Sequence, residues 1–164
     1  RALINTANQF KTDLSIVKSV VKSNNKRKIL LTKRLENILN NKLKNKVITF
    51  LGVTFKPNTD DMREASSIPM IKYLNKNNSK IRYHDPSGEK NEFKKLKNVK
   101  YYKDIQSACF NSDLIVLHTE WNDFRLLNFK KLVKKSNFKI FDMRNMYSPS
   151  KMKNLKIKYF GIGR

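Results

Sequence analysis

Residues 47–67 read Val-Ile-Thr-Phe-Leu-Gly-Val-Thr-Phe-Lys-Pro-Asn-Thr-Asp-Asp-Met-Arg-Glu-Ala-Ser-Ser. The run from Val47 to Val53 is apolar and rich in β-branched residues, which predicts a buried strand that stops at Gly52. A loop of charged and turn-forming residues follows, and the two serines predict the start of a helix. Because open α/β sheets bind ligands at the carboxyl ends of their strands, we expect a binding site at this loop first.

Strand and helix patterns alternate through the rest of the chain. The predicted strands are Lys80–His84, Val99–Tyr102, Leu114–Leu117, Lys139–Phe141 and Lys156–Phe160. The predicted helices are Ser67–Leu74, one capped by Asp104 that runs through Phe110, and Asn128–Lys134. This alternation predicts an α/β fold with a doubly wound parallel sheet. Polar clusters follow four of the strands, so we expect them to meet at one edge of the sheet.

A long amphipathic helix precedes the predicted sheet. Apolar residues recur at spacings of three and four from Val17 to Leu39, which predicts one helix from an N-cap at Asp13 to near Lys42. Residues 1–10 resemble the tail of an earlier helix. The pattern leaves two interpretations open, because such a helix can act as a connector or dimer spine, or can simply pack on its own sheet.

The composition limits the classes of function. The formal net charge of +23 suggests a polyanion partner or a biased genome, and the excess of lysine and asparagine favours the second interpretation. The single cysteine, Cys109, excludes an internal disulfide and a cysteine-rich metal site. No apolar run approaches the roughly 20 residues that cross a bilayer, so we expect a cytoplasmic protein without a membrane partner. The chain begins at Arg1, which suggests a piece of a longer protein.

The loop after the first strand lacks the Gly-x-Gly-x-x-Gly spacing of dinucleotide-binding turns. A phosphate group would therefore have to be held by charged side chains, for which Lys56 and Arg144 are the candidates. The acidic residues of the loop (Asp60, Asp61 and Glu64) are better explained as caps of the following helix than as metal ligands. His118 and Cys109 are expected to be buried structural residues, since no catalytic set surrounds them.

Four motifs resemble a known family when they are taken together. They are the stretch that opens at Phe50, Tyr-His-Asp-Pro from Tyr83, Thr-Glu-Trp-Asn-Asp-Phe from Thr119, and Phe-Asp-Met-Arg-Asn from Phe141. In this order they resemble the carboxyl-terminal part of the UDP-glucose/GDP-mannose dehydrogenase family, across essentially the whole chain. The third motif is more similar to the UDP-glucose 6-dehydrogenases than to the UDP-N-acetylmannosamine dehydrogenases, which stay the alternative within the family.

The resemblance implies a domain organisation and a site. Residues 1–45 would be the end of a central helical dimerisation region, and residues 46–164 a Rossmann-like UDP-binding domain. Phe55 and Lys56 would contact the UDP-sugar, and Arg144 its nucleotide end. Arg63 would reach toward NAD, the cofactor held mainly by an N-terminal domain that this chain lacks.

The resemblance also implies an activity for the whole enzyme, the oxidation of UDP-glucose to UDP-glucuronate with two NAD. Cys109 matches no catalytic position of the family, so we expect no catalytic residue in this chain and no activity from it alone. UDP-glucose is the expected ligand, and a homo-oligomer formed through the N-terminal helix the expected assembly. Two alternatives remain: a remnant with the fold but no ligand, and a basic nucleic-acid-binding domain that uses the lysines of Lys94–Lys103 and Lys130–Lys135.

Overall fold

The computed structural model describes residues 2–163. Six strands form the sheet: β1 (Val47–Leu51), β2 (Lys80–His84), β3 (Val99–Tyr101), β4 (Leu114–Leu117), β5 (Lys139–Asp142) and β6 (Lys158–Gly161). All neighbouring strands are parallel, in the order β3-β2-β1-β4-β5-β6. This is the order of doubly wound nucleotide-binding sheets, in which the direction of winding reverses between β1 and β4. The predicted fold class is confirmed.

Six helices surround the sheet: α1 (Ala2–Gln9), α2 (Ser15–Ile38), α3 (Ser67–Lys76), α4 (Ile105–Cys109), α5 (Phe129–Val133) and α6 (Pro149–Asn154). A short 3₁₀ turn lies at Asn122–Phe124. The predicted cap of α4 is confirmed, because Asp104 accepts a hydrogen bond from the Ser107 amide at 2.7 Å. No helix in the described part of the chain combines the length and the apolar character needed to cross a lipid bilayer.

The central strands are continuous apolar runs because helices cover both faces of the sheet. On one face, Ile48 and Phe50 of β1 pack in a buried cluster with residues of α2 and α3. On the other face, Leu51 joins a second cluster that includes Phe129 of α5 and Met152 of α6. Residues that alternate along β1 therefore anchor opposite layers.

Only the carboxyl half of α2 belongs to this core. Leu35 is fully buried, and Ile38 and Leu39 lie beside it in the first cluster. In the amino half, by contrast, Ile16 is 80% exposed and Val20 is 53% exposed. The apolar stripe of the helix thus continues well past the surface that the sheet covers.

Several predicted boundaries are wrong. Asp13 does not cap α2, which begins after Leu14, and its carboxylate instead forms an ion pair with Lys18. The helix ends at Ile38 rather than near Lys42, since Asn40 and Asn41 adopt left-handed backbone conformations. The last strand begins two residues later than predicted and ends at Gly161. The helix α6 was not predicted from the sequence.

Candidate functional site

The turn after β1 brings the ends of β1 and β4 unusually close together. Gly52 has a φ of +75°, and a Cβ atom on it would lie 2.6 Å from the Cβ atom of Thr119. Only glycine combines this backbone conformation with so close an approach. Gly52, at which the first strand was predicted to stop, therefore also allows the close approach of the ends of β1 and β4.

The backbone amides of this turn are already occupied. Asp85, which follows β2 and is fully buried, accepts hydrogen bonds from the Val53 amide at 2.7 Å and the Thr54 amide at 3.3 Å. Its other oxygen accepts from the Ser87 amide at 3.0 Å. A dinucleotide pyrophosphate normally sits on free amides at this position. Because a carboxylate occupies these amides, the turn does not fit NAD.

The loop that follows is closed by its own contacts. The Phe55 amide donates to the Asp61 carbonyl at 2.9 Å. The side chain of Arg63 donates twice to the Asp61 carboxylate, at 2.9 Å each, and these bonds hold the pKa of Asp61 at about 2. Arg63 is 90% exposed beyond this pair.

The expected capping role of the acidic residues is wrong. The N-cap of α3 is Ser66, and no side chain accepts a capping hydrogen bond there. Asp61 pairs with Arg63, while the Glu64 carboxylate lies 2.6 Å from the Lys28 ammonium of α2. These two carboxylates therefore pair with Arg63 of the loop and Lys28 of α2, and they do not cap α3.

Arg144 ties together three segments at the edge of the sheet. Its Nε donates to the His118 carbonyl at 2.8 Å, and Nη2 donates to the Phe55 carbonyl at 3.4 Å. The Glu120 carboxylate forms an ion pair with the same Nε at 2.8 Å. Since that N–H points at the His118 carbonyl, Glu120 Oε2 is buried without a hydrogen bond from any described residue. The guanidinium is thus fixed in place beside the loop.

His118 is buried below this arginine, with 1% of its surface exposed. Its Nδ1 lies 3.0 Å from Thr119 Oγ1, and its Nε2 lies 2.8 Å from Ser66 Oγ. Burial, reinforced by the charge of Arg144, lowers the pKa of His118 from 6.5 to about 3. The imidazole is therefore neutral at physiological pH.

A cleft of about 470 Å³ lies between α2 and these segments. The sheet edge contributes Phe55, Ser66 and Arg144, and α2 contributes Asn24, Arg27 and Lys28 on the opposite wall. The ring of Phe55 is half exposed into this space. An aromatic ring, several cations and polar groups face one another here, as in sites for phosphorylated ligands.

The structure brings together two of the four residues predicted for the site. Phe55 and Arg144 line the cleft, whereas Lys56 and Arg63 do not. Lys56 is exposed, next to Phe55, and has no ion pair or hydrogen bond among residues 2–163. The predictions missed Ser66 and the wall formed by α2. One signal was available, because Asn24 and Lys28 interrupt the apolar stripe of that helix.

The remaining reactive groups are structural. Cys109 is completely buried, and burial raises the pKa of its thiol to about 12, as expected for a structural cysteine. Within residues 2–163, no three His, Cys, Asp or Glu side chains are grouped closely enough to hold a metal ion.

Comparisons with known proteins assign the domain that carries this cleft. A sequence profile for the UDP binding domain of the UDP-glucose/GDP-mannose dehydrogenase family matches residues 49–149. The chain belongs to this family. The matched span contains Phe55, Ser66, His118 and Arg144. The sheet-edge wall of the cleft is therefore part of the family's UDP binding domain.

Full-length relatives place the chain within the family. The UDP-glucose 6-dehydrogenase of Rickettsia typhi is 35% identical over 166 residues, which cover 99% of this chain and 38% of the relative. That of Bacillus subtilis is 34% identical over 167 residues, covering 99% of the chain and 37% of the relative. The chain thus spans less than two fifths of the length of these relatives, in their carboxyl-terminal portion.

A solved structure supports the fold independently. A UDP-glucose dehydrogenase from the archaeon Pyrobaculum islandicum superposes with a TM-score of 0.77 at 23% identity. The superposition covers 98% of this chain and 35% of that one. At this identity the likeness concerns the fold, and it extends over α2 as well as the sheet.

Proposed function

We propose that this chain is the UDP-sugar-binding part of a UDP-glucose 6-dehydrogenase. One observation supports this proposal above all. The cleft between α2 and the sheet edge combines an aromatic ring with a fixed guanidinium, and its sheet-edge wall lies in the UDP binding domain of the family. UDP-glucose is the proposed ligand, with UDP-N-acetylmannosamine as the alternative.

Three residues at the sheet edge have distinct roles in this proposal. Arg144 binds a phosphate of the nucleotide through its guanidinium group. Its Nε donates to the His118 carbonyl and its Nη2 donates to the Phe55 carbonyl, so the guanidinium is held beside Phe55. Phe55 packs its half-exposed ring against a flat or apolar face of the ligand. Lys56 is at the rim, from which its free ammonium reaches the phosphates by a change of rotamer.

The whole enzyme, in this proposal, oxidises UDP-glucose to UDP-glucuronate with two NAD in the cytoplasm. NAD is held mainly by parts of the enzyme outside this chain, because the turn after β1 does not fit it. Arg63 is the residue proposed to reach that cofactor, and its 90% exposed side chain is open to such a contact. This chain alone is expected to be inactive, so an assay of NADH formation should stay at background.

The amino half of α2 and the adjoining α1 provide the proposed oligomer contact. Leu3, Phe10, Ile16 and Val20 are each more than half exposed, which leaves a run of apolar side chains without cover from the sheet. We expect self-association through this surface. Sedimentation should show dimers or larger species for the chain, and Ile16→Glu should shift them toward monomer. A monomeric wild-type chain at high concentration would contradict the proposal.

Calorimetry with UDP-glucose, UDP and a DNA duplex at two salt concentrations tests the binding function. We expect saturable UDP binding that weakens in Lys56→Ala and is lost in Arg144→Ala. Lys130→Ala is the matched control, because this exposed lysine lines a separate groove. Binding of DNA alone, with strong salt dependence, would favour the nucleic-acid alternative. Absence of all binding would favour a remnant that kept only the fold.

A further inference from the structure

We propose that Ser66 is a specificity residue of this cleft. In this proposal its oxygen accepts a hydrogen bond from a hydroxyl or N–H group of the bound nucleotide sugar, and it cannot donate to the phosphates. The inference rests on the proposed UDP-sugar site and adds a chemical requirement to it. His118 acts as the positioning residue that sets the direction of the Ser66 hydroxyl.

Ser66 stands at the start of α3 but does not make the capping hydrogen bond that is usual for a serine there. An N-cap serine normally accepts a hydrogen bond from the amide two or three residues later. In α3 the third residue after Ser66 is Pro69, which has no N–H, and the Ile68 amide donates to the Ala65 carbonyl. The hydroxyl therefore makes no capping bond and turns to His118 Nε2 at 2.8 Å.

The directions of the hydrogen bonds among Ser66, His118 and Thr119 follow from the bond that Thr119 donates. Thr119 Oγ1 donates its only proton to the Thr54 carbonyl at 2.7 Å. It can therefore only accept from His118, so Nδ1 of His118 carries the proton. The ring is neutral, which leaves Nε2 as an acceptor. Ser66 must then donate its proton to Nε2.

This arrangement fixes what Ser66 can offer a ligand. A serine hydroxyl has one proton and two lone pairs, and here the proton is committed to a buried, neutral imidazole. Ser66 also lines the cleft, and its oxygen can meet a ligand there only through lone pairs. Phosphate oxygens are acceptors and find no donor at this point. Hydroxyl and N–H groups of a sugar or a base do find a partner.

The tautomer of His118 is the first measurement. Long-range ¹H–¹⁵N spectra of the chain separate protonated from unprotonated ring nitrogens, and His84→Gln assigns the two histidines. We expect His118 to carry its proton on Nδ1, with an Nε2 resonance that moves in Ser66→Ala because that nitrogen loses its donor. A proton on Nε2 would overturn the inference.

Ligand binding by Ser66→Ala is the second measurement, with Ser66→Thr as the variant that retains a hydroxyl. Loss of one hydrogen bond predicts UDP-glucose binding about two- to tenfold weaker in Ser66→Ala, with wild-type affinity in Ser66→Thr. Pyrophosphate should bind both variants as it binds wild type. Thermal denaturation followed by circular dichroism verifies that each variant is folded.

Analogues then identify the donating group. Each analogue lacks a candidate donor. UDP lacks the hexose, 2′-deoxy-UDP also lacks one ribose hydroxyl, and N3-methyl-UDP lacks the uracil N–H as well as the hexose. The group that donates to Ser66 is the one whose removal makes wild type and Ser66→Ala bind equally. Equal binding of UDP-glucose itself by the two proteins, or weaker pyrophosphate binding in Ser66→Ala, would overturn this inference alone. Failure of the wild-type chain to bind UDP-glucose would overturn the proposed function together with it.

Discussion

Replacing Asp85 with asparagine removes the charge that holds the turn after β1. The Asp85 side chain is fully buried, and its two oxygens accept from amides on different segments, Val53 and Thr54 on one side and Ser87 on the other. Asparagine has nearly the same shape but keeps only one acceptor oxygen. Its NH₂ group must therefore face amide donors on one side, which leaves either the buried Val53 and Thr54 N–H groups or the part-buried Ser87 N–H without its acceptor.

The expected loss of stability can be worked out from these contacts. Hydrogen bonds to a charged acceptor contribute about 1.5–3 kcal/mol each, against about 0.5–1.5 kcal/mol for neutral pairs, and an unpaired buried amide is destabilising by about 1–3 kcal/mol. Since asparagine adjusts by orienting its carbonyl toward one side, we expect a net loss of roughly 2–3 kcal/mol. For a chain of this length that lowers Tm by about 4–12 °C.

Thermal denaturation of Asp85→Asn beside Asp60→Asn tests this reasoning. Asp60 lies in the loop after β1 but is exposed, so its substitution should leave Tm within about 1 °C of wild type. Asp85→Asn should also weaken UDP binding, because the loop that carries Phe55 loses its anchor. If both variants melt together with wild type, Asp85 does not hold the turn.

Three further predictions concern other buried groups. Gly52→Ala should lower the free energy of unfolding by about 2–5 kcal/mol, because the new Cβ atom would be crowded and the backbone φ is positive. Gly88→Ala, which has open space around it, should lower the free energy of unfolding by about 1–2 kcal/mol. Urea titrations of the two variants compare these losses. The Cys109 thiol should react with a thiol reagent only after unfolding, as a stopped-flow assay in guanidinium can show. Because the pKa of His118 is lowered from 6.5 to about 3, the free energy of unfolding should fall as pH decreases through that window, by up to about 1.4 kcal/mol per unit; this slope should be smaller in His118→Gln.

Much of the fold could be predicted from the sequence because local and long-range signals agree. The strand Leu114–Leu117 and the strand Lys80–His84 have the predicted bounds, since each is an apolar or alternating run between clear turn residues. The carboxyl end of α2 was predicted wrongly because Asn40 and Asn41 enter left-handed conformations that the helical pattern does not reveal. The helix α6 was missed because its six residues are too few to show an apolar period, although Ser148 followed by Pro149 is a helix-start pattern.

The meeting of Phe55 and Arg144 at one cleft could be predicted from the sequence, for a physical reason. Residues at strand ends, such as Phe55 and Arg144, are brought together by the topology of a parallel sheet, so their convergence could be predicted from order alone. The contribution of α2 depends on how that helix crosses the sheet edge, which the sequence does not encode locally. The turn of the Ser66 hydroxyl toward His118 likewise depends on a contact between residues 52 positions apart.

UDP is proposed to bind in the cleft between α2 and the carboxyl edge of the sheet. Titration of the ¹⁵N-labelled chain with UDP, followed at each backbone amide by NMR, tests this binding site. We expect saturable shifts concentrated in residues 24–31, 53–66, 118–120 and 144, which disappear in Arg144→Ala. Shifts confined to the lysine groove around residues 130–136, or none at all, would contradict it.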